Sequence, residues 1–439
     1  MARRQSNMFR IVLEPRWLIT AALTLLLLCL PAGCPPTTQS NGENGSLVFN
    51  NTTDATNGGA EYIGSAACKA CHPDVAAIHR IHAHNHALTP IQGRAPEYAP
   101  EGTRASVPNP PAGLSWNNIS YVIAGYLHGA FFVDQDGFVA TDGVIGTNTL
   151  WNLDFPSNGT HAGFAAYLPD QVTPKPYDYE MCFRCHTTGP RPQDPDDPRS
   201  QDGRPGILGT WAEPGVQCEA CHGPGSTHAP NPTIRGIFVD STPQTCGRCH
   251  TSGDDPDVIV AADGFLGSNT QYPQLLASGG HGEFNCTVCH NPHASTMYDR
   301  DRGLRNDCTA CHVDMNLAFH DGFVYQLGDY VETVNCQSCH MPLAGLSTSF
   351  APAALVGPEA RIGDVRAHIF RIDTTGADSS AFFTPSGSAV RKDAQGRAAL
   401  TADFVCLRCH NNAGVLFPLT IPGAGMIADN IHQKAADAH

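Results

Sequence analysis

Eight short segments of this chain share one arrangement: two cysteines separated by two residues, with a histidine directly after the second. They are Cys68-Lys-Ala-Cys71-His72, Cys182-Phe-Arg-Cys185-His186, Cys218-Glu-Ala-Cys221-His222, Cys246-Gly-Arg-Cys249-His250, Cys286-Thr-Val-Cys289-His290, Cys308-Thr-Ala-Cys311-His312, Cys336-Gln-Ser-Cys339-His340 and Cys406-Leu-Arg-Cys409-His410. Two intervening residues place both thiols on one turn of chain, where each can form a thioether with one vinyl group of a porphyrin. The following imidazole then points at the iron as proximal ligand. Disulfides and zinc ribbons also use paired cysteines, but neither needs a histidine after every second one. Of 18 cysteines the motifs use all but Cys29 and Cys34. The motifs therefore predict eight covalently attached haems c, with His72, His186, His222, His250, His290, His312, His340 and His410 as proximal ligands.

Each iron also needs a sixth ligand, unless it does chemistry at an open position. Thirteen histidines lie outside the motifs: His79, His82, His84, His86, His128, His161, His228, His281, His293, His320, His368, His432 and His439. That is enough to close all eight irons with a second histidine. Beyond the N-terminal region the only methionines are Met181, Met297, Met315, Met341 and Met426. Ligation by two histidines lacks the axial Met that raises a haem potential, so low potentials are expected. The cluster from His79 to His86 should supply one or two ligands. No Cys-x-x-Cys-Lys motif is present, and no side chain can be singled out as catalytic.

The elements that carry these motifs follow from their spacing. Six motifs, from Cys182 to His340, fall within about 160 residues, too few for six independent side-chain cores. The porphyrins must supply apolar interior there. The expected fold is mainly α with much irregular coil and a small β-hairpin region around a haem-filled core. Short helices are expected at 68–79 and 308–319. Residues 121–140, with Phe-Phe-Val-Asp-Gln-Asp-Gly-Phe-Val-Ala, read as strands around an Asp-Gly turn, and 367–372 as a further strand. The Pro- and Asp-rich segment 190–206 reads as an exposed loop. Asp134, Asp136 and Asp142, or Asp254, Asp255 and Asp257, do not match the spacing of a calcium loop and read as solvated turns.

The N-terminus is basic at Arg3, Arg4, Arg10 and Arg16, then apolar to Leu30, and ends in Ala32-Gly33-Cys34. It reads as an export signal with a lipoprotein-like end, Cys34 being the lipidated residue. The domain reading is a signal at 1–33, a flexible tether at 34–60 and one multihaem domain at 61–439. Localisation in the periplasm, or at the outer membrane or cell surface, follows. With 26 Lys+Arg against 41 Asp+Glu and a formal charge of −15, nucleic acid is an unsuitable partner. Redox proteins, such as other cytochromes or quinol-linked donors, are the expected ones.

Longer phrases resemble bacterial multihaem cytochromes related to cytochrome c-554. They are Tyr62-Ile-Gly-Ser-Ala-Ala-Cys68, Cys185-His186-Thr-Thr-Gly189, Gly209-Thr-Trp211 through Cys218 to His228, His281 through Cys286 to His293, Cys336-Gln-Ser-Cys339-His340-Met-Pro, and Gly363-Asp-Val-Arg-Ala-His368. The resemblance spans roughly 60–430 and implies distal ligands at His84, His228, His281, His293 and His368. His161 and His320 complete the first set of distal candidates, and His128 and His432 are further ones. Relatives often carry a histidine in the segment before the fifth motif, where Gly264-Phe-Leu-Gly-Ser-Asn-Thr-Gln-Tyr272 has none; another histidine replaces it or one haem is left open. The resemblance implies an electron carrier in respiratory or extracellular electron transfer, with assembly into oligomers or filaments as in some relatives. The alternative is an octahaem oxidoreductase acting on hydroxylamine, nitrite or a sulfur oxyanion at one open haem.

Overall fold

The computed structural model describes residues 53–54 and 60–432, apart from 234–235, 238–241, 254, 316, 318–319, 415 and 429–430. The signal sequence, Cys29, Cys34, His439 and most of the tether lie outside the described residues. The first motif sits on two one-to-two-turn helices, α1 (Ser65–Cys71) and α2 (Pro73–His79). Pro73 opens α2, where its missing N–H is not needed.

A nine-stranded sheet takes seven strands from the gap between the first two motifs and two from the segment after the second motif. Its strands are β1 (Leu88–Pro90), β2 (Ile119–Ala124), β3 (Ala130–Asp134), β4 (Phe138–Val139), β5 (Leu150–Asn152), β6 (Gly163–Ala165), β7 (Lys175–Asp178), β8 (Arg191–Pro192) and β9 (Ile207–Thr210). The order is β8-β9-β7-β4-β3-β2-β1, with β5 added to β3 and β6 to β5. All pairings are antiparallel except β9 on β7. β-branched and aromatic residues dominate β2 and β3, as a half-buried pleat favours. The Asp-Gly turn forms as expected: Asp134 accepts N–H bonds from Asp136 (3.0 Å) and Phe138 (2.8 Å), and Gly137 has φ +93°. A Cβ there would stand 2.7 Å from Ile207.

A register shift between Ile119 and Tyr121 re-aims β2, as a bulge does. Ile119 and Val122 then share one face with Phe132 and Ala140. Tyr121 and Ile123 share the other with Val133, Tyr177, Phe183 and Trp211. The sheet thus has a side-chain core on each face. Two more cores lie toward the C-terminus, one around Ile259, Phe265, Ile369 and Phe404, the other around Tyr325, Tyr330, Val356 and Leu407. None of the four draws on 212–258 or 278–324 among the described residues. That stretch carries motifs three to six. It is where porphyrins have to stand in for apolar side chains.

The mainly α expectation is therefore wrong. The chain is 25% helix and 18% strand, with a large curled mixed sheet. Its longest described helix has eight residues, Ile421–Ala428. The motif turns do not propagate. The third ends at Gly223 with φ +75°, and the sixth is a single tight turn, Cys308–Ala310, where a helix to 319 was expected. Residues 367–372 do not form a strand, because Phe370 adopts φ +59° and only Ile372 bridges to Leu400. Segment 190–206 is not a free loop: it contains β8, and Gln201 is buried against Trp211, whose N–H it accepts at 2.8 Å. Of the carboxylates read as solvated turns, Asp134 and Asp142 accept backbone N–H bonds, Asp142 from Thr149 and Tyr167. Among the described residues no group of three His, Cys, Asp or Glu could hold a metal ion.

Candidate haem centres

The third motif is brought to the first by buried polar residues. Glu219, inside the third motif, accepts N–H bonds from Ile63 (3.0 Å), Gly64 (2.8 Å) and Gly225 (2.7 Å). Burial pushes its carboxyl up, and these three donors oppose that shift. Ser65 donates to Glu213 at 2.8 Å. Motifs one and three are thereby clasped, and Cys68 faces Cys218. The same kind of contact joins Cys185 to Cys249 and Cys246 to Cys286, while Cys221 and Cys246, and Cys289 and Cys311, are near enough to feel each other's charge. A side-chain hydrogen bond also joins Cys308 to Cys336, and Cys339 and Cys406 pack against the same side-chain core. The eight motifs thus lie near one another in a branched series, with the fourth beside the second and fifth and near the third.

The histidines are arranged in facing pairs. Seven motif histidines each stand opposite a histidine that does not directly follow their own cysteines. The centroid separations are His72–His228 6.4 Å, His250–His84 6.1 Å, His222–His293 6.1 Å, His290–His368 6.1 Å, His312–His281 5.9 Å, His410–His320 6.3 Å and His340–His432 5.9 Å. A metal–imidazole nitrogen bond of about 2.0–2.1 Å puts two imidazoles on opposite faces of one iron with centroids about 6 Å apart. The residues present therefore fit a haem held between two histidines at each of these seven places. Three pairs are close to parallel, at 17°, 7° and 11° for His72–His228, His222–His293 and His340–His432.

Hydrogen bonds at Nδ1 point the other ring nitrogen outward. Nδ1 of His186 lies 2.9 Å from the Ala87 carbonyl, that of His340 2.8 Å from the Phe370 carbonyl, and that of His410 3.1 Å from the Phe417 carbonyl. His250 meets Gln271 Oε1 at 3.0 Å, and His368 meets the Arg366 carbonyl at 3.2 Å. A donated Nδ1–H fixes the tautomer and frees Nε2 for a metal. Burial lowers the pKa of His84, His186, His290, His293, His340 and His368, the last to about 3. Neutral imidazole is the form that binds iron.

Other histidines are committed elsewhere. Nδ1 of His82 accepts the N–H of His84 at 3.0 Å, which leaves the proton on Nε2. Nε2 of His86 meets the Arg80 carbonyl at 2.9 Å. His79, the last residue of α2, stacks on His82 at 6.0 Å, a pair without a motif histidine. His161, a first-choice distal candidate from sequence, is at the surface between Asp154 and Asp329, with Nε2 3.1 Å from the latter. His128 lies 3.8 Å from Asp364 and beside Phe155. The structure brings neither His161 nor His128 to a motif histidine. The segment 264–272, which lacks the expected histidine, instead supplies Gln271 to orient His250. Sequence reasoning missed this glutamine and the Ala87 carbonyl, and neither carries a motif. The fifth motif is faced by His368.

One motif histidine remains. Among the described residues no histidine ring faces His186.

A scan against family descriptions matches "Cytochrome c554 and c-prime" over residues 167–223 and 291–341. The dissimilatory sulfite reductase MccA of Wolinella succinogenes is 24% identical in an alignment covering 38% of this chain and 28% of that protein. The chain thus spans well under a third of that relative's length. The solved octahaem sulfite reductase MccA of the same organism superposes with a TM-score of 0.50 at 16% identity, over 91% of this chain and 75% of that one. The undecahaem S-layer cytochrome of Carboxydothermus ferrireducens gives a TM-score of 0.38 at 18% identity, over 65% and 51%. The motifs, together with the family match over 167–223 and 291–341, lead to one conclusion: the chain is a multihaem c-type cytochrome.

Proposed function

We propose that this cytochrome carries eight haems c, seven closed by two histidines and one, at His186, with an open iron face where a small inorganic ligand is oxidised or reduced. Haem iron supplies one-electron chemistry and, where its sixth position is free, a site for ligand binding. The observation behind the reading is the contrast between His186 and its seven counterparts. A pure carrier gains nothing from one unclosed iron, whereas an enzyme requires one. The reading therefore favours the oxidoreductase alternative over simple carriage, with carriage retained as what the other seven centres do.

The chain's own part is to hold His186 neutral and oriented through the Ala87 carbonyl, and to set its motif beside the fourth through Cys185 and Cys249. From there the series branches toward the first and the eighth motifs. The sulfite reductase among the relatives makes sulfite the first ligand to try. Redox proteins as partners, export, and anchoring through Cys34 belong to the same proposal and rest on sequence alone. The test is ligand titration of the oxidised, haem-loaded protein with cyanide and with sulfite. One haem per chain should respond, and a His186→Met variant should change that response. A protein with no responding haem would contradict the reading.

A further inference from the structure

The attachment loops of the seventh and eighth motifs are joined by an arginine that is itself held in a buried ion pair. Arg408, at the second variable position of the eighth motif, is 2% exposed, and its Nη1 lies 2.7 Å from Oε2 of Glu332, itself 5% exposed. Its Nε donates to the Val405 carbonyl at 3.2 Å. Its Nη2 donates to the carbonyl of Ser338, the second variable position of the seventh motif. Tyr330 is fully buried and donates its hydroxyl to the same Glu332 oxygen at 2.6 Å. One hairpin, Val324–Leu327 paired with Tyr330–Thr333, delivers both Tyr330 and Glu332.

Burying two charges costs several kcal/mol per ion, and an apolar replacement is often no less stable. Stability alone does not account for the pair. Its position suggests another role. Cys339 and Cys406 pack against the same side-chain core, and the field of Arg408 reaches Cys339, Cys406 and Cys409, with that of Glu332 at the first and last. In a low-dielectric interior such charges act at short range with little screening. Net charge and burial are among the levers that set a haem potential.

We infer that Arg408 and Glu332 are positioning residues: Arg408 clamps the two attachment loops together, and Glu332 cancels its charge so that the reduction potentials of these two centres stay low. The inference rests on the c-type haem reading and is independent of the open site at His186. The test is spectroelectrochemical titration of the haem-loaded protein, with haem counted separately by pyridine haemochrome. Glu332→Gln keeps the side chain's size and an acceptor for Tyr330, but leaves Arg408 uncompensated. Two midpoints should rise with haem content unchanged, and a companion His432→Met variant marks which of them belongs to the seventh motif. The double variant Glu332→Gln/Arg408→Gln restores charge balance and should return both midpoints toward the parent values. Unchanged midpoints in Glu332→Gln, or a double variant that stays shifted with the single one, would overturn the inference. A fall in haem content with normal midpoints in the haems that remain would overturn it too.

Discussion

His340 and His432 stand face to face, with ring centroids 5.9 Å apart and planes inclined by only 11°. One is the last residue of a Cys-x-x-Cys-His motif; the other lies far along the chain, past the helix Ile421–Ala428. Six more pairs repeat the separation. Long-range pairing of this kind makes each distal histidine a specific partner rather than an interchangeable one. Replacing His432 or His228 with Ala should each convert one low-spin haem of the oxidised protein to high-spin, with the haem count unchanged. EPR and haem quantitation check both.

His161 serves as the opposite control. Its ring is exposed and its Nε2 is engaged by Asp329. His161→Ala should leave the EPR spectrum and the midpoints as they were. Any new high-spin signal would show that it reaches an iron.

The sheet should be separable from the haem centres in its energetics. Phe132 is fully buried in a side-chain core, and truncating such a residue costs about 3–5 kcal/mol. Gly209 has φ +138°, and a Cβ there would meet the Arg191 carbonyl at 2.2 Å, so Gly209→Ala must shift the β8–β9 pairing. Both variants should lower the first thermal transition while the haems attach normally. Hydrogen exchange should localise the loss to β1–β9.

Acid should loosen the region from α2 to β1 first. Burial holds His79 at about 4 and His82 at about 3, with neighbouring imidazoles adding to the effect. In the unfolded chain these groups titrate near about 6.5. Each binds its proton more readily when unfolded, so stability is fully present above about 6.5 and is lost as pH falls toward the folded values. The slope is about 1.4 kcal/mol per pH unit for each such histidine in that window. Melting curves from pH 8 to pH 4 should show the decline, and replacing His82 with Gln should flatten it.

The attachment motifs could be read from the sequence because covalent attachment demands fixed spacing, and sixteen cysteines and eight histidines stand in that pattern. Distal partners were less legible, because facing rings are set by tertiary contacts such as Glu219 with the backbone of Ile63 and Gly64. His84 and His293 sit near their own motifs but face others, and His161 resembled them in sequence while lying at the surface. The strands β2 to β4 were visible through dense β-branched and aromatic residues around Asp136-Gly137. Strands of two to four residues such as β5, β6 and β8 carry too little periodicity to be seen, and that hid the sheet. The motif turns suggested helices because their first turn is helical; Gly223 and the tight turn at Cys308–Ala310 show how soon they stop.

The most direct test of the account is the spin state of the irons. In the oxidised, haem-loaded protein, EPR with haem quantitation should give seven low-spin centres and one high-spin centre that shifts on adding cyanide or sulfite and is altered by His186→Met. Eight low-spin centres, none of them responding, would contradict it.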